Sequence, residues 1–121
     1  MKKILIAEDN ESNYILLYSV LKLEYNILRA VNGKECVELY KAESPDLILM
    51  DLMMPVMNGF DATRAIRKMN PEIGIIAVTA FSFQQDQEKA IEAGCDLVIT
   101  KPINILSLKK AIKLRLESTG S

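Results

Sequence analysis

A chain of 121 residues is long enough for one domain with a sizeable core and too short for two ordinary ones. Half of its residues are hydrophobic, and 15 basic against 16 acidic side chains leave a net charge of -1, without the basic excess that a nucleic-acid or anionic-membrane surface requires. It contains no histidine, which excludes histidine acid-base chemistry, histidine-ligated metals and a phosphohistidine carried by this chain.

The start, Met1-Lys2-Lys3, leads into an apolar stretch too short for a signal-peptide core, and no run approaches the ~20 residues of a membrane span, so the expected location is cytoplasmic, without membrane insertion. Lys3 to Ala7 then reads as a first strand, short and aliphatic. Tyr14, Leu17, Tyr18 and Leu21 recur at i, i+3, i+4 and i+7, the stripe of an amphipathic helix. Asn26 to Ala30 is the second strand. Asn32 followed by Glu35 marks a helix start, and Cys36, Leu39 and Tyr40 begin its stripe. Asp46 to Met50 is the third strand, so uniformly apolar after Asp46 that it must be buried on both faces. It delivers Asp51 to its end, after which Pro55 and Asn58-Gly59 turn the chain. Asn58 with Asp61 caps a third helix whose stripe is Ala62, Ala65, Ile66 and Met69. Ile75 to Thr79 is a fourth strand, Gly94 stops a fourth helix, Asp96 to Ile99 is a fifth strand, and Asn104 caps a last helix. Residues 1–117 are expected to form the domain, and 118–121 a frayed end or the remnant of a cut. Cys36 and Cys95 have no ligand-like neighbours in sequence and read as reduced, partly buried thiols.

Five repeats of strand and helix imply an α/β fold: a doubly wound, flavodoxin-like (βα)5 parallel sheet covered on both faces through right-handed crossovers. Ligands bind such sheets at the carboxyl ends of the strands, and the residues there are Glu8 and Asp9, Asp51, Thr79, and Lys101-Pro102. Strand order 2-1-3-4-5 makes the first and third strands neighbours about 4.8 Å apart and brings the acids together. The order 3-2-1-4-5 scatters them.

Convergence is costly, since two carboxylates about 4 Å apart repel by roughly 4 kcal/mol at an effective dielectric of about 20. One lysine against three acids leaves a negative oxygen site that suits Mg2+, a cation that accepts a few carboxylates and shares phosphate oxygens. With Thr79 as hydroxyl donor and Lys101 as point charge, these are the parts for phosphoryl transfer to Asp51. Each residue has a plainer reading: Glu8 and Asp9 as helix-start acids, Asp51 as a turn acid, Thr79 as a strand residue, Lys101 as surface charge, and Met53, Met54 and Met57 as packing. Their arrival on one rim favours the functional reading.

Glu8-Asp9, the run Asp51-Leu52-Met53-Met54-Pro55-Val56-Met57-Asn58-Gly59, Thr79-Ala80 and Lys101-Pro102 together resemble the receiver domain of two-component response regulators, over nearly the whole chain. The resemblance implies Mg2+ held by Glu8, Asp9, Asp51 and the Met53 backbone carbonyl, and phosphorylation of Asp51 by a partner's phosphohistidine. It further implies Thr79 contacting the phosphoryl group, Lys101 pairing with it, and a cis bond before Pro102. Such a domain is chiefly a signalling switch that promotes its own Mg2+-dependent phosphorylation and dephosphorylation. Its partners are a histidine kinase or histidine phosphotransfer domain and a downstream protein on the face of the fourth helix, fifth strand and fifth helix, with no nucleic acid.

Ala7 to Asn13, Thr79-Ala80-Phe81 and Glu92 to Asp96 are similar to receivers of hybrid histidine kinases, and the abrupt ends fit excision from one. A stand-alone regulator is the alternative, as is a docking module that is never phosphorylated. Many receivers carry a Tyr or Phe three residues before the lysine that turns inward on phosphorylation; here that position is Val98, which moves the expected output to the segment near Phe81 and Phe83. Met53 and Phe81, the positions that flank the phosphoryl group in the family, are bulky and apolar, implying slow self-dephosphorylation. A haloacid-dehalogenase-like phosphatase fits poorly because Met53 stands where its second aspartate is needed. A flavodoxin-like FMN site fits poorly because Glu8 and Asp9 repel phosphate.

Overall fold

The structure is a computed structural model that describes residues 1–80 and 82–119, with side chains through residue 117. Strands and helices alternate: β1 (Lys3–Ala7), α1 (Glu11–Leu21), β2 (Asn26–Ala30), α2 (Gly33–Glu43), β3 (Leu47–Asp51), α3 (Gly59–Met69), β4 (Gly74–Thr79), α4 (Gln84–Ala93), β5 (Leu97–Thr100) and α5 (Ile105–Thr119). All pairings are parallel, in the order β2-β1-β3-β4-β5, the doubly wound arrangement expected from the clustering of acids. The last helix continues two residues past the expected domain end at residue 117.

Successive side chains of a strand point to opposite faces, and the core splits accordingly. Leu5, Ala7, Ile48, Met50, Ile75 and Ala77 pack under Cys36 of α2, Ala62 and Ile66 of α3 and Ala90 of α4. Ile4, Ile6, Leu47, Leu49, Ile76 and Val78 pack under Leu17 and Leu21 of α1 and Leu108, Ile112 and Leu116 of α5. Each fully buried Leu or Ile stabilises the fold by roughly 1.5–3 kcal/mol relative to exposure, so a strand buried on both faces holds its terminal residue firmly.

Two strands begin one residue later than expected, and two aspartates explain it. Asp46 donates its N–H to the Lys3 carbonyl at 2.9 Å while its carboxylate accepts the Lys3 N–H at 2.7 Å. Asp96 repeats the device against Ile75, at 2.8 Å in both directions. In each case a side chain replaces the backbone acceptor of the next ladder step, so the aspartate precedes the strand rather than joining it.

The caps follow the asparagines. Asn32, Asn58 and Asn104 accept from the N–H groups of Glu35, Asp61 and Ser107 at 2.7, 2.9 and 3.0 Å. Gly94 ends α4 at φ 121, a backbone conformation that a side chain disfavours. The helix stripes are narrower than their spacing predicts: Leu17 and Leu21 are buried while Tyr18 is exposed, and Ala62 and Ile66 are buried while Met69 is exposed. Tyr18 and Met69 lie at the edge of their stripes, where the helix surface turns away from the sheet. Both cysteines are free thiols and fully within the core.

Candidate functional site

The rim residues follow from strand register. Ala7 of β1 pairs with Met50 of β3, Met50 with Ala77 of β4, and Ala77 with Val98 of β5. The next residues up are Glu8 and Asp51 on adjacent strands, and Thr79 pairs with Thr100 immediately before Lys101. The Lys101 N–H donates to the Thr79 carbonyl at 2.8 Å, tying the lysine to the strand that carries the hydroxyl.

Carboxylate oxygens of Glu8, Asp9 and Asp51 all lie within 4.8 Å of one another. Glu8 and Asp51 are 2% and 7% exposed, whereas Asp9 faces solvent. Lys101 Nζ is 3.1 Å from Glu8 Oε1 and 3.7 Å from Asp51 Oδ2, so one ammonium is shared unequally by two buried acids. Asp51 Oδ1 accepts the Met53 N–H at 3.0 Å, and Glu8 Oε2 accepts the Asn10 N–H at 3.2 Å. Burial pushes the Asp51 carboxyl up to about 7, helped by its hydrogen bonding with Glu8 and the Glu8 charge and opposed by the Met53 N–H and Lys101. Three clustered carboxylates, one of them reluctant to ionise, form a donor set of hard oxygens with a deficit of positive charge, which a small divalent cation such as Mg2+ fits.

The turn after Asp51 is held by close backbone approach. Gly59 donates its N–H to the Leu52 carbonyl at 3.1 Å, and a Cβ at this position would fall on the Asp51 carbonyl oxygen. Gly33, at the start of α2, donates to the Met57 carbonyl at 2.9 Å, and a Cβ there would strike that same oxygen. Pro55 and Met57 close a tight turn, Met57 N–H to Pro55 carbonyl at 2.7 Å, around Val56 at φ 70.

Thr79 is buried, 1% exposed, at the rim. Met53 is 57% exposed and, with Asp9, Leu52, Met54, Pro55, Asn58 and Phe60, borders a hollow of about 420 Å3 beside the acids. Val98 is half-buried and lines a separate groove of about 530 Å3 between α4 and β5. The Lys101–Pro102 peptide is cis. Phe81 lies outside the described residues. Sequence reasoning missed Asn10 and Arg29, both of which bind Glu8. The spacing of Asn10 before Asn13 matches a cap and is visible in the sequence; Arg29 leaves no local signal because its partner is 21 residues away.

A doubly wound parallel sheet that gathers three acids, a buried threonine and a lysine on its carboxyl edge has its candidate ligand site where such sheets bind ligands, around a strand-end aspartate. Comparison with known proteins is specific: the response regulator receiver domain family matches residues 4–113. The chain belongs to that family and is a receiver domain of two-component signalling. It is 38% identical over 112 residues to the chemotaxis protein CheY of Halobacterium salinarum, covering 92% of this chain and 93% of that protein. Among solved structures, it resembles the receiver domain of sensor histidine kinase PA1611 from Pseudomonas aeruginosa PAO1, which has a magnesium ion coordinated in its active site cleft. That match has a TM-score of 0.89 and 31% identity over 96% of this chain and 98% of the other. It also resembles the receiver domain of Saccharomyces cerevisiae Ssk1, solved with the histidine phosphotransfer protein Ypd1, with a TM-score of 0.86, 34% identity, and coverage of 93% and 86%.

Proposed function

We propose that this domain is the phosphoacceptor of a phosphorelay, taking a phosphoryl group from a partner's phosphohistidine onto Asp51 with Mg2+ bound. The observation that carries this reading is the meeting of the Glu8, Asp9 and Asp51 carboxylates, within 4.8 Å of one another, with the Lys101 ammonium. Glu8, Asp9, Asp51 and the Met53 carbonyl would hold the cation, which supplies charge neutralisation for the phosphoryl oxygens. An Asp51 carboxylate oxygen forms a bond to phosphorus as the phosphorus–nitrogen bond breaks, and the electron pair returns to the imidazole of the donor. Lys101, already 3.7 Å from Asp51, pairs with the new negative charge, and the Thr79 hydroxyl donates to a phosphoryl oxygen. Because Asp51 ends a strand buried on both faces, the nucleophile is positioned before the donor arrives, which is where such transfer gains most.

The added charge, about -1.5 to -2, lands beside the loops that leave β3, β4 and β5 and shifts their balance. With Val98 in place of an aromatic ring, output runs through the segment entering α4 and the groove that Val98 lines, toward a downstream protein on the α4-β5-α5 face. The partner class is supported by the Ssk1 likeness, and a hybrid histidine kinase as parent chain by the likeness to the PA1611 receiver. Against that context, the likeness to the halobacterial CheY over 93% of that protein supports a stand-alone regulator equally. A cytoplasmic location fits either context.

The test is intact mass after exposure to a small phosphodonor with Mg2+. One added phosphoryl group is expected in the wild type, with none in Asp51→Asn and none when EDTA replaces the metal. A wild type that gains nothing from any phosphodonor would instead be a docking module.

A further inference from the structure

Glu8 is bonded at every polar atom it has. Its N–H donates to the Ala30 carbonyl at 2.9 Å, and its carboxylate oxygens take Lys101 at 3.1 Å and the Asn10 N–H at 3.2 Å. Its carbonyl oxygen is held by Arg29, whose Nε and Nη2 both donate to it at 3.3 Å. That carbonyl belongs to the peptide joining Glu8 to Asp9, so the arginine fixes the plane from which the Asp9 side chain departs.

Arg29 is itself held on three sides. It stands on β2, paired with Ile6 of β1, which aims its long side chain along the sheet toward the rim. Its Nη1 donates to Glu11 Oε2 at 2.7 Å in the first turn of α1, and its guanidinium lies 4.4 Å from the centre of the Tyr14 ring one turn later. One planar group therefore joins the second strand, the acidic loop and the first helix, a task that needs a rigid fork of several donors. A lysine offers a point charge without the fork.

From this we infer that Arg29 is a positioning residue for the acidic site: it holds the Glu8–Asp9 peptide so that Asp9 meets Glu8 and Asp51 at ligand distance. The inference rests on the Mg2+-binding reading proposed above. It has a sign opposite to simple electrostatics. A cation beside three carboxylates should weaken metal binding by repulsion, so removing its charge should tighten binding; removal of a positioning group should loosen it.

The experiment is a calorimetric Mg2+ titration of the wild type, Arg29→Met, Arg29→Lys and Glu11→Gln at one pH and ionic strength. Backbone amide spectra of Asp9 and Asn10, and urea unfolding to show that each variant is folded, complete the set. Outer partners of metal ligands change affinity by about 10-fold or more, and that loss is expected in both Arg29→Met and Arg29→Lys, with displaced Asp9 and Asn10 amides. Glu11→Gln leaves the fork to the Glu8 carbonyl in place and should bind within about 3-fold of the wild type. Should Arg29→Met unfold, Arg29→Lys still decides, because it keeps the charge and the aliphatic stem. Variants that bind Mg2+ as tightly as the wild type, or more tightly, overturn the role of Arg29 alone. A wild type that fails to bind Mg2+ overturns both this inference and the function on which it rests.

Discussion

Replacing Asp51 by asparagine removes the proposed acceptor and should, by the physics of the site, stabilise the metal-free fold at pH 8. In the folded chain the Asp51 carboxyl is pushed from 3.8 up to about 7, first by burial and then by Glu8. A group raised in this way binds its proton more tightly in the native state than in the unfolded one. The stability it contributes is complete below pH 3.8 and is lost as pH rises through about 7. The full displacement corresponds to roughly 4 kcal/mol, of which about 3 falls between pH 5 and pH 8. Lys101 stands nearer Glu8 than Asp51, at 3.1 against 3.7 Å, so it offsets this cost only partly. In EDTA, therefore, wild-type stability should drop by about 2–3 kcal/mol more than that of Asp51→Asn between pH 5 and pH 8, leaving the variant more stable at the higher pH. Urea unfolding followed by circular dichroism measures both slopes, and added Mg2+ at pH 8 should stabilise the wild type more than the variant. Equal pH slopes, or a variant less stable than the wild type at pH 8, would refute the reasoning.

Gly59→Ala should cost about 2–4 kcal/mol in unfolding experiments, because the new methyl meets the Asp51 carbonyl and the Leu52 Cα, both backbone and unable to yield. Met53→Asn should hasten loss of the phosphoryl group, read as decay of the phosphorylated mass, since a polar side chain can orient a water that an exposed methionine excludes; an unchanged decay would count against a shielding role. Cys36, with its thiol pushed up to about 12 by burial, should resist a thiol reagent in the native state at pH 8 and react at once in urea. Phosphorylation of Asp51 should move the amide resonances from Phe83 to Ala90; unmoved resonances would remove the segment entering α4 from the output route.

Legibility in the sequence followed the kind of force involved. The strands were readable because Ile48-Leu49-Met50 and Ile75 to Val78 admit no solvent on either face, and the strand order because 2-1-3-4-5 gathers Glu8, Asp9 and Asp51 where 3-2-1-4-5 scatters them. Asn32, Asn58 and Asn104 were readable as caps because a cap acts on residues three positions away. Contacts across long separations left no such trace. Nothing near Arg29 announces the Glu8 carbonyl, and nothing in Asp46 or Asp96 shows that a carboxylate will take a ladder position. The close approaches of Gly33 and Gly59 depend on where two loops meet, which spacing alone does not encode.

The caps have a consequence for the direction in which a signal leaves. Asparagine side chains fasten the starts of α1, α2, α3 and α5, through Asn10, Asn32, Asn58 and Asn104. The start of α4 has Phe83, with no side-chain bond to the helix and 71% of its surface exposed. A fastening of this kind is worth about 1 kcal/mol, a small sum in a whole domain and a large one at a single joint. On the other flank of Asp51, Gly33 and Gly59 bolt the following loop to its neighbours. The rim thus resembles a door with one edge riveted and the other merely latched, and the charge proposed to arrive at Asp51 should open it on the latched side.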